Sequence, residues 1–174
     1  MNQLGLPILL DSKMLLDNFL GNKQLLDFIA QLYVDKTSAE IYVYGASGVG
    51  KTHLLQGAAL MALSDQQIAM YIDCYDPLPR HVLESIEQLN WISIDNIGAI
   101  NNNQKDLFFD LYNRAKQATV SMLISGTDLP SKLGVMKDLK TRLGFATIFQ
   151  LQPLDDELTM SVLNNQMIDR NLSI

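Results

Sequence analysis

The fold of this chain is decided by the stretch Gly45-Ala46-Ser47-Gly48-Val49-Gly50-Lys51-Thr52. It matches the pattern G-x-x-x-x-G-K-S/T, in which glycines let successive backbone N–H groups point into one phosphate-sized concavity. The β-branched and aromatic run that precedes it, residues 41–44, predicts a buried strand. Residues 53–63, which follow, are rich in helix formers. Strand, glycine loop and helix together indicate a P-loop, and not a glycine-rich turn with a surface lysine.

This P-loop predicts a site for a nucleoside di- or triphosphate. The N-terminus of the following helix places about half a positive charge opposite a bound phosphate. Lys51 is expected to reach the β- and γ-phosphates, and the Thr52 hydroxyl to ligate Mg²⁺. The predicted nucleotide-binding residues are Gly45, Ala46, Ser47, Gly48, Val49, Gly50, Lys51, Thr52 and His53.

Composition and charge narrow the class of protein. The chain has 174 residues, 48% of them hydrophobic, which suffices for one core. Its net charge of −6 makes direct strong DNA binding unexpected, because DNA phosphates repel an acidic body. The single Cys74 cannot form an internal disulfide, which fits a reducing compartment. It is predicted to be a core residue at the end of a strand. Without a signal peptide or a long apolar window, a cytoplasmic protein with no membrane segment is expected.

Strands and helices alternate along the chain. Further strands are predicted at 68–72, 91–95, 120–125 and 147–151, and helices at about 24–33, 82–89, 104–118, 135–143 and 155–170. This alternation predicts an α/β fold, a three-layer P-loop NTPase with a parallel sheet.

Asp95 and Asn96 end the third predicted strand. A carboxylate at that position, beside a P-loop, is where such enzymes place the second Mg²⁺ contact, so Asp95 is predicted to be the Walker B aspartate. A helix-capping aspartate is the alternative. Asn96 stands where vigorous P-loop ATPases commonly have an acid. Because an amide orients water but cannot act as a base, weak or no hydrolysis by this site is predicted.

Two further residues are candidates for chemistry. Thr127 follows the fourth strand and is a candidate sensor of the γ-phosphate, although polar loops at strand ends are common. Arg142 precedes the fifth strand and is either a solvated charge or a finger arginine for a neighbouring molecule's nucleotide. Such a finger changes a hydrolysis rate by about 10³–10⁵. The two histidines, His53 and His81, lack partners at metal spacing, so zinc is not expected.

The order of these motifs resembles that of the AAA+ core. Several of the individual sequences resemble one branch of the AAA+ proteins, the replication initiator DnaA and its relatives. Residues 50–55 are similar to the P-loop of the replication initiator DnaA and its relatives. The strings at 94–97 and 109–114, Ile-Asp-Asn-Ile and Phe-Asp-Leu-Tyr-Asn-Arg, resemble Hda-like proteins, small DnaA homologues that inactivate DnaA. Residues 139–143 are similar to the family's arginine-finger region. The resemblance runs from about residue 3 to 170.

The resemblance gives the N-terminal residues a meaning. By composition, residues 3–7 are either a short edge piece of the domain or a linear motif for a partner's groove. They are similar to the motif with which Hda-like proteins dock on the sliding clamp, the beta subunit of DNA polymerase III. The resemblance implies that Gln3 supplies hydrogen bonds, while Leu4, Leu6 and Pro7 fill an apolar groove.

The resemblance implies a negative regulator of DNA replication initiation. Hda-like proteins bind ADP, attach to the DNA-loaded clamp and stimulate hydrolysis of the ATP held by DnaA, so Arg142 would act as a finger in trans. The alternative is an active AAA+ ATPase of the initiator or helicase-loader type. A nucleotide kinase is not supported, because no arginine-rich lid is present. The preference between ADP and ATP, and homodimer formation, stay open.

The resemblance also divides the chain. Residues 1–12 would be the tail with the clamp-binding motif, residues 13–153 the AAA+ nucleotide-binding core, and residues 154–174 the first helix of an otherwise absent lid. Family members continue into a helical lid whose sensor arginine touches the nucleotide. The pair Thr127-Asp128 also differs from the Asp-Arg pair expected there.

Overall fold

The computed structural model describes residues 23–35, 37–46, 48–78 and 81–151. Its helices and strands alternate as the sequence predicts. In chain order they are α1 (Lys23–Asp35), β1 (Glu40–Tyr44), α2 (Lys51–Ser64), β2 (Ala69–Asp73), α3 (Val82–Ser85), β3 (Trp91–Asp95), α4 (Lys105–Gln117), β4 (Ser121–Gly126), α5 (Lys137–Leu143) and β5 (Thr147–Gln150). The predicted helix at 155–170 lies outside the described residues.

The five strands form one parallel sheet in the order β2-β3-β4-β1-β5. Every residue of the middle strand, β4, is buried, which is the pattern of a parallel strand covered on both faces. All carboxyl ends meet at one edge, where Val43 is in register with Ser125 and Asp73 with Asp95. The P-loop after β1 and the acidic end of β3 therefore lie at the same edge, and the predicted α/β fold is confirmed.

Successive residues of the strands face two separate cores. Trp91 packs with α1 and α2, among residues such as Ile29, Leu55 and Ala58. Its neighbour Ile92 packs on the opposite side, with residues of α3 and α4. Because strand side chains alternate between faces, one sheet can bury both sets, which gives three layers.

Two elements differ from the prediction. The expected helix at 82–89 is α-helical only to Ser85 and continues as a 3-10 turn over Ile86–Gln88. This tighter turn ends at Leu89, whose extended backbone leads into β3. The expected helix at 135–143 begins at Lys137, because Met136 is extended. Among the described residues, no helix combines the length and the apolar character needed to cross a bilayer.

Candidate functional site

The glycines of the P-loop have distinct roles. Gly48 and Gly50 adopt φ values of 86° and 100°, a left-handed conformation that L side chains rarely adopt. At Gly45 the constraint is space, since a Cβ there would lie 2.8 Å from the carbonyl oxygen of Leu151. Ser47, which the sequence places in the loop, lies outside the described residues. The loop leads directly into α2, and Gly50 is the N-cap of that helix.

Lys51 lies inside this loop. Its side chain is only 8% exposed, and its Nζ donates to the carbonyl oxygens of Gly45 and, at 3.0 Å, Ala46. Burial lowers the pKa of Lys51, and the negative charge of Asp95 opposes part of that shift. A cationic donor held within this loop fits a phosphate ligand. His53 follows on the first turn of α2.

Asp95 is the centre of a buried hydrogen-bond network. Its Oδ2 accepts from the Thr52 hydroxyl and the Tyr71 hydroxyl, each at 2.7 Å. Its Oδ1 accepts from the Ser125 hydroxyl and, at 3.1 Å, from the backbone N–H of Asn96. The carboxylate is completely buried, and these four donors compensate the cost of removing it from water.

The arrangement of Thr52 and Asp95 fits a magnesium ion. Because the Thr52 hydroxyl directs its proton at Asp95, its oxygen lone pairs remain for a cation. Hydroxyl and carboxylate oxygens are the hard donors that Mg²⁺ prefers. The sequence predicted both residues, and the fold brings them into direct contact although they are distant in the chain.

Asn96 faces Asp73 on the neighbouring strand. Its φ of 58° is left-handed, and its Nδ2 donates to Asp73 Oδ1 at 3.0 Å. Its backbone N–H also donates to Ser125 Oγ at 3.0 Å. One N–H of the carboxamide is therefore engaged by Asp73, at the edge of the sheet beside Asp95.

Thr127 is exposed, and a different hydroxyl reaches the network. Ser125, two residues earlier on β4, is buried and contacts Asp95. Sequence reasoning also missed Tyr71 and Asp73, which occupy alternate positions of β2 and so share a face. Their polar character at the carboxyl end of a predicted strand was the available indication.

Arg142 is half-buried in the last turn of α5. Its guanidinium carbon lies 5.5 Å from the ring centroid of Phe109 on α4, a cation–π distance. The predicted clamp-binding residues, Gln3, Leu4, Leu6 and Pro7, lie outside the described residues.

Comparison with known proteins identifies the family. Residues 10–150 match the model of the bacterial DnaA ATPase domain. The chain belongs to this family. This match confirms the DnaA-like AAA+ assignment, which was made from the P-loop, Asp95 and the arginine region. The family relates the chain to replication initiation proteins.

Individual relatives agree with this DnaA-like assignment. An uncharacterised protein of Haemophilus influenzae is 34% identical over 184 residues, which cover 99% of this chain and 78% of that protein. AMPPCP-bound DnaA from Aquifex aeolicus superposes with a TM-score of 0.79 at 20% identity, covering 94% of this chain and 57% of that one. Domain III of Thermotoga maritima DnaA superposes with a TM-score of 0.79 at 18% identity, covering 94% of this chain and 77% of that one. The chain thus spans less than two thirds of the Aquifex DnaA structure, and at these identities the structures show the fold alone.

Proposed function

We propose that this chain is an Hda-like negative regulator of DNA replication initiation, which holds a nucleotide and acts on the ATP of a partner. The observation that carries the proposal is the pairing of Asn96 with Asp73. At the position where an ATPase needs a base for the attacking water, this chain has an amide, which cannot act as a base and already donates one hydrogen bond to Asp73. Such a site suits a nucleotide that is retained more than one that is hydrolysed.

The nucleotide would be ADP or ATP with Mg²⁺. The Aquifex DnaA structure that shares this fold is bound to AMPPCP, which supports an adenine nucleotide. Lys51 and the loop N–H groups would hold the phosphates, while Thr52 and Asp95 would hold the metal ion. When bound, Mg²⁺ neutralises phosphate charge. The nucleotide would thereby order the P-loop edge of the domain.

Arg142 would act in trans, on ATP bound to DnaA. It lies on the short helix before β5, and its guanidinium rests on the ring of Phe109; among the described residues, no carboxylate forms an ion pair with it. An arginine held this way keeps its donors for phosphate oxygens. The wild-type chain is expected to accelerate ATP hydrolysis by DnaA on the order of 10³-fold.

The N-terminal motif would tether the chain to the DNA-loaded sliding clamp. Only the sequence supports this part, through Gln3, Leu4, Leu6 and Pro7. The tether would raise the local concentration of the regulator near newly replicated DNA. Calorimetry with the purified clamp tests it: a Gln3→Ala, Leu6→Ala variant should lose saturable binding that the intact chain shows.

A reconstituted assay separates this function from the alternative. DnaA loaded with ATP is incubated with clamp-loaded DNA and the chain, and phosphate release is followed. Arg142→Ala should abolish the stimulation, whereas Arg114→Ala should not, because Arg114 is an exposed arginine paired with Asp110 at 3.3 Å. Rapid hydrolysis by the chain alone, without DnaA, would support an active AAA+ ATPase instead.

A further inference from the structure

The carboxylate of Asp95 already has as many hydrogen-bond donors as it can accept. An ionised carboxylate offers about four acceptor positions. Two donors meet each oxygen: Thr52 and Tyr71 at Oδ2, and the Ser125 hydroxyl with the Asn96 N–H at Oδ1. Of these four donors, Tyr71 is the one that comes from β2, outside the P-loop and the strand-end motifs.

The Tyr71 hydroxyl also has a second side-chain partner. Gln56, on α2, hydrogen-bonds to the Tyr71 side chain. Burial and the charge of Asp95 raise the pKa of Tyr71 well above its ordinary range. What bears on a metal site is the geometry of this hydroxyl, which donates its proton to Asp95 Oδ2 at 2.7 Å.

We propose that Tyr71 limits the affinity of this site for Mg²⁺. It occupies an acceptor position of Asp95 that a cation, or water bound to it, would use. Each hydrogen bond also withdraws negative charge from the carboxylate and so weakens its attraction for a cation. This inference rests on the proposed binding of a magnesium nucleotide and names one residue that tunes it.

The test compares ADP affinity with Mg²⁺ and with EDTA, by calorimetry on the full chain. Tyr71→Phe removes the hydroxyl and keeps the ring. It should increase the ratio of the two affinities by roughly three- to tenfold, the range that corresponds to one typical intramolecular hydrogen bond. Affinity in EDTA should stay unchanged. A merely structural role would instead leave the ratio unchanged or reduce it, so a gain is diagnostic.

Two further variants complete the experiment. Tyr112→Phe is the matched control, because it removes a tyrosine hydroxyl that lies 3.0 Å from the carboxylate of Glu40; its ratio should equal that of the wild type. Gln56→Leu removes the second partner of Tyr71 and should raise the ratio by a smaller factor. It also carries the test if Tyr71→Phe does not fold.

The outcomes separate this inference from the proposed function. If the wild type binds ADP and Tyr71→Phe shows an unchanged or smaller Mg²⁺ dependence, the inference is overturned and the proposed function stands. The same holds if Tyr112→Phe raises the ratio equally. If the wild type binds neither ADP nor ATP in either condition, the proposed nucleotide function fails, and the inference fails with it.

Discussion

The side-chain amide of Asn96 donates to the carboxylate of Asp73, with 3.0 Å between Nδ2 and Oδ1. Asp73 ends β2, Asn96 follows the neighbouring parallel strand β3, and the two residues lie 23 positions apart in the chain. Asp73 Oδ1 also accepts from the backbone N–H of Tyr75, at 3.0 Å. Asn96 therefore takes part in a structural contact between the ends of β2 and β3, and this contact limits which residues can replace it.

Asn96→Asp should destabilise the folded protein. It would place a second carboxylate against Asp73, and we expect a loss of about 1–3 kcal/mol in the free energy of unfolding at neutral pH. Like charges raise carboxyl pKa values, so the loss should shrink as the pH falls and the pair takes up a proton. Urea denaturation at several pH values measures it. Adding Asp73→Asn should restore stability; an Asn96→Asp variant as stable as wild type at neutral pH would contradict this account.

Gly126→Ala should destabilise the protein, chiefly through a steric clash with Tyr42. A Cβ at Gly126 would lie 2.0 Å from the Tyr42 hydroxyl oxygen and 3.0 Å from its Cζ. We expect a cost of about 1–3 kcal/mol or somewhat more. Tyr42→Phe removes the closer atom and should recover part of the loss in the double variant, which a double-mutant cycle measures. Gly98→Ala is the control, because a Cβ there meets nothing within 4 Å.

Ser125→Ala should reveal how strongly Asp95 depends on its network. The Ser125 hydroxyl donates to a fully buried carboxylate, so its loss should cost about 1.5–3 kcal/mol of unfolding free energy. Ser121→Ala, at the other end of the same strand, removes a hydroxyl that accepts from a backbone N–H at 3.3 Å and should cost about 1 kcal/mol or less. Equal losses in urea denaturation would argue against a special role for Ser125.

Cys74 should be inert in the folded chain. It is 5% exposed, and burial, followed by the charges of Asp73 and Asp95, raises its thiol pKa above the ordinary range. The reactive thiolate is therefore scarce. Since the folded pKa exceeds the unfolded one, stability should fall as the pH rises past the ordinary thiol pKa. Ellman's reagent should label this single thiol only as urea unfolds the protein; rapid labelling without urea would contradict the burial.

Local sequence was sufficient for most of the fold. The P-loop, the alternating strands and helices, and Asp95 at the end of β3 each follow from residues close together in the chain. The helix predicted at 82–89 was too long, because the need to turn into β3 after Gln88 depends on where the sheet lies. The contact of Ser125 with Asp95 illustrates the same limit, since it depends on the register of β4 beside β3; the role predicted for Thr127 stays a prediction.

The sequence by itself determined the parallel α/β fold, the phosphate-binding loop and the candidate roles of Thr52 and Asp95, because glycine spacing and strand periodicity are local properties. Tertiary structure decided that Tyr71 shares the carboxylate of Asp95 and that Asp73 holds the amide of Asn96. These contacts join β2 to β3 across the sheet. Their physical basis is the register of parallel strands, which aligns residues that no spacing along the chain connects.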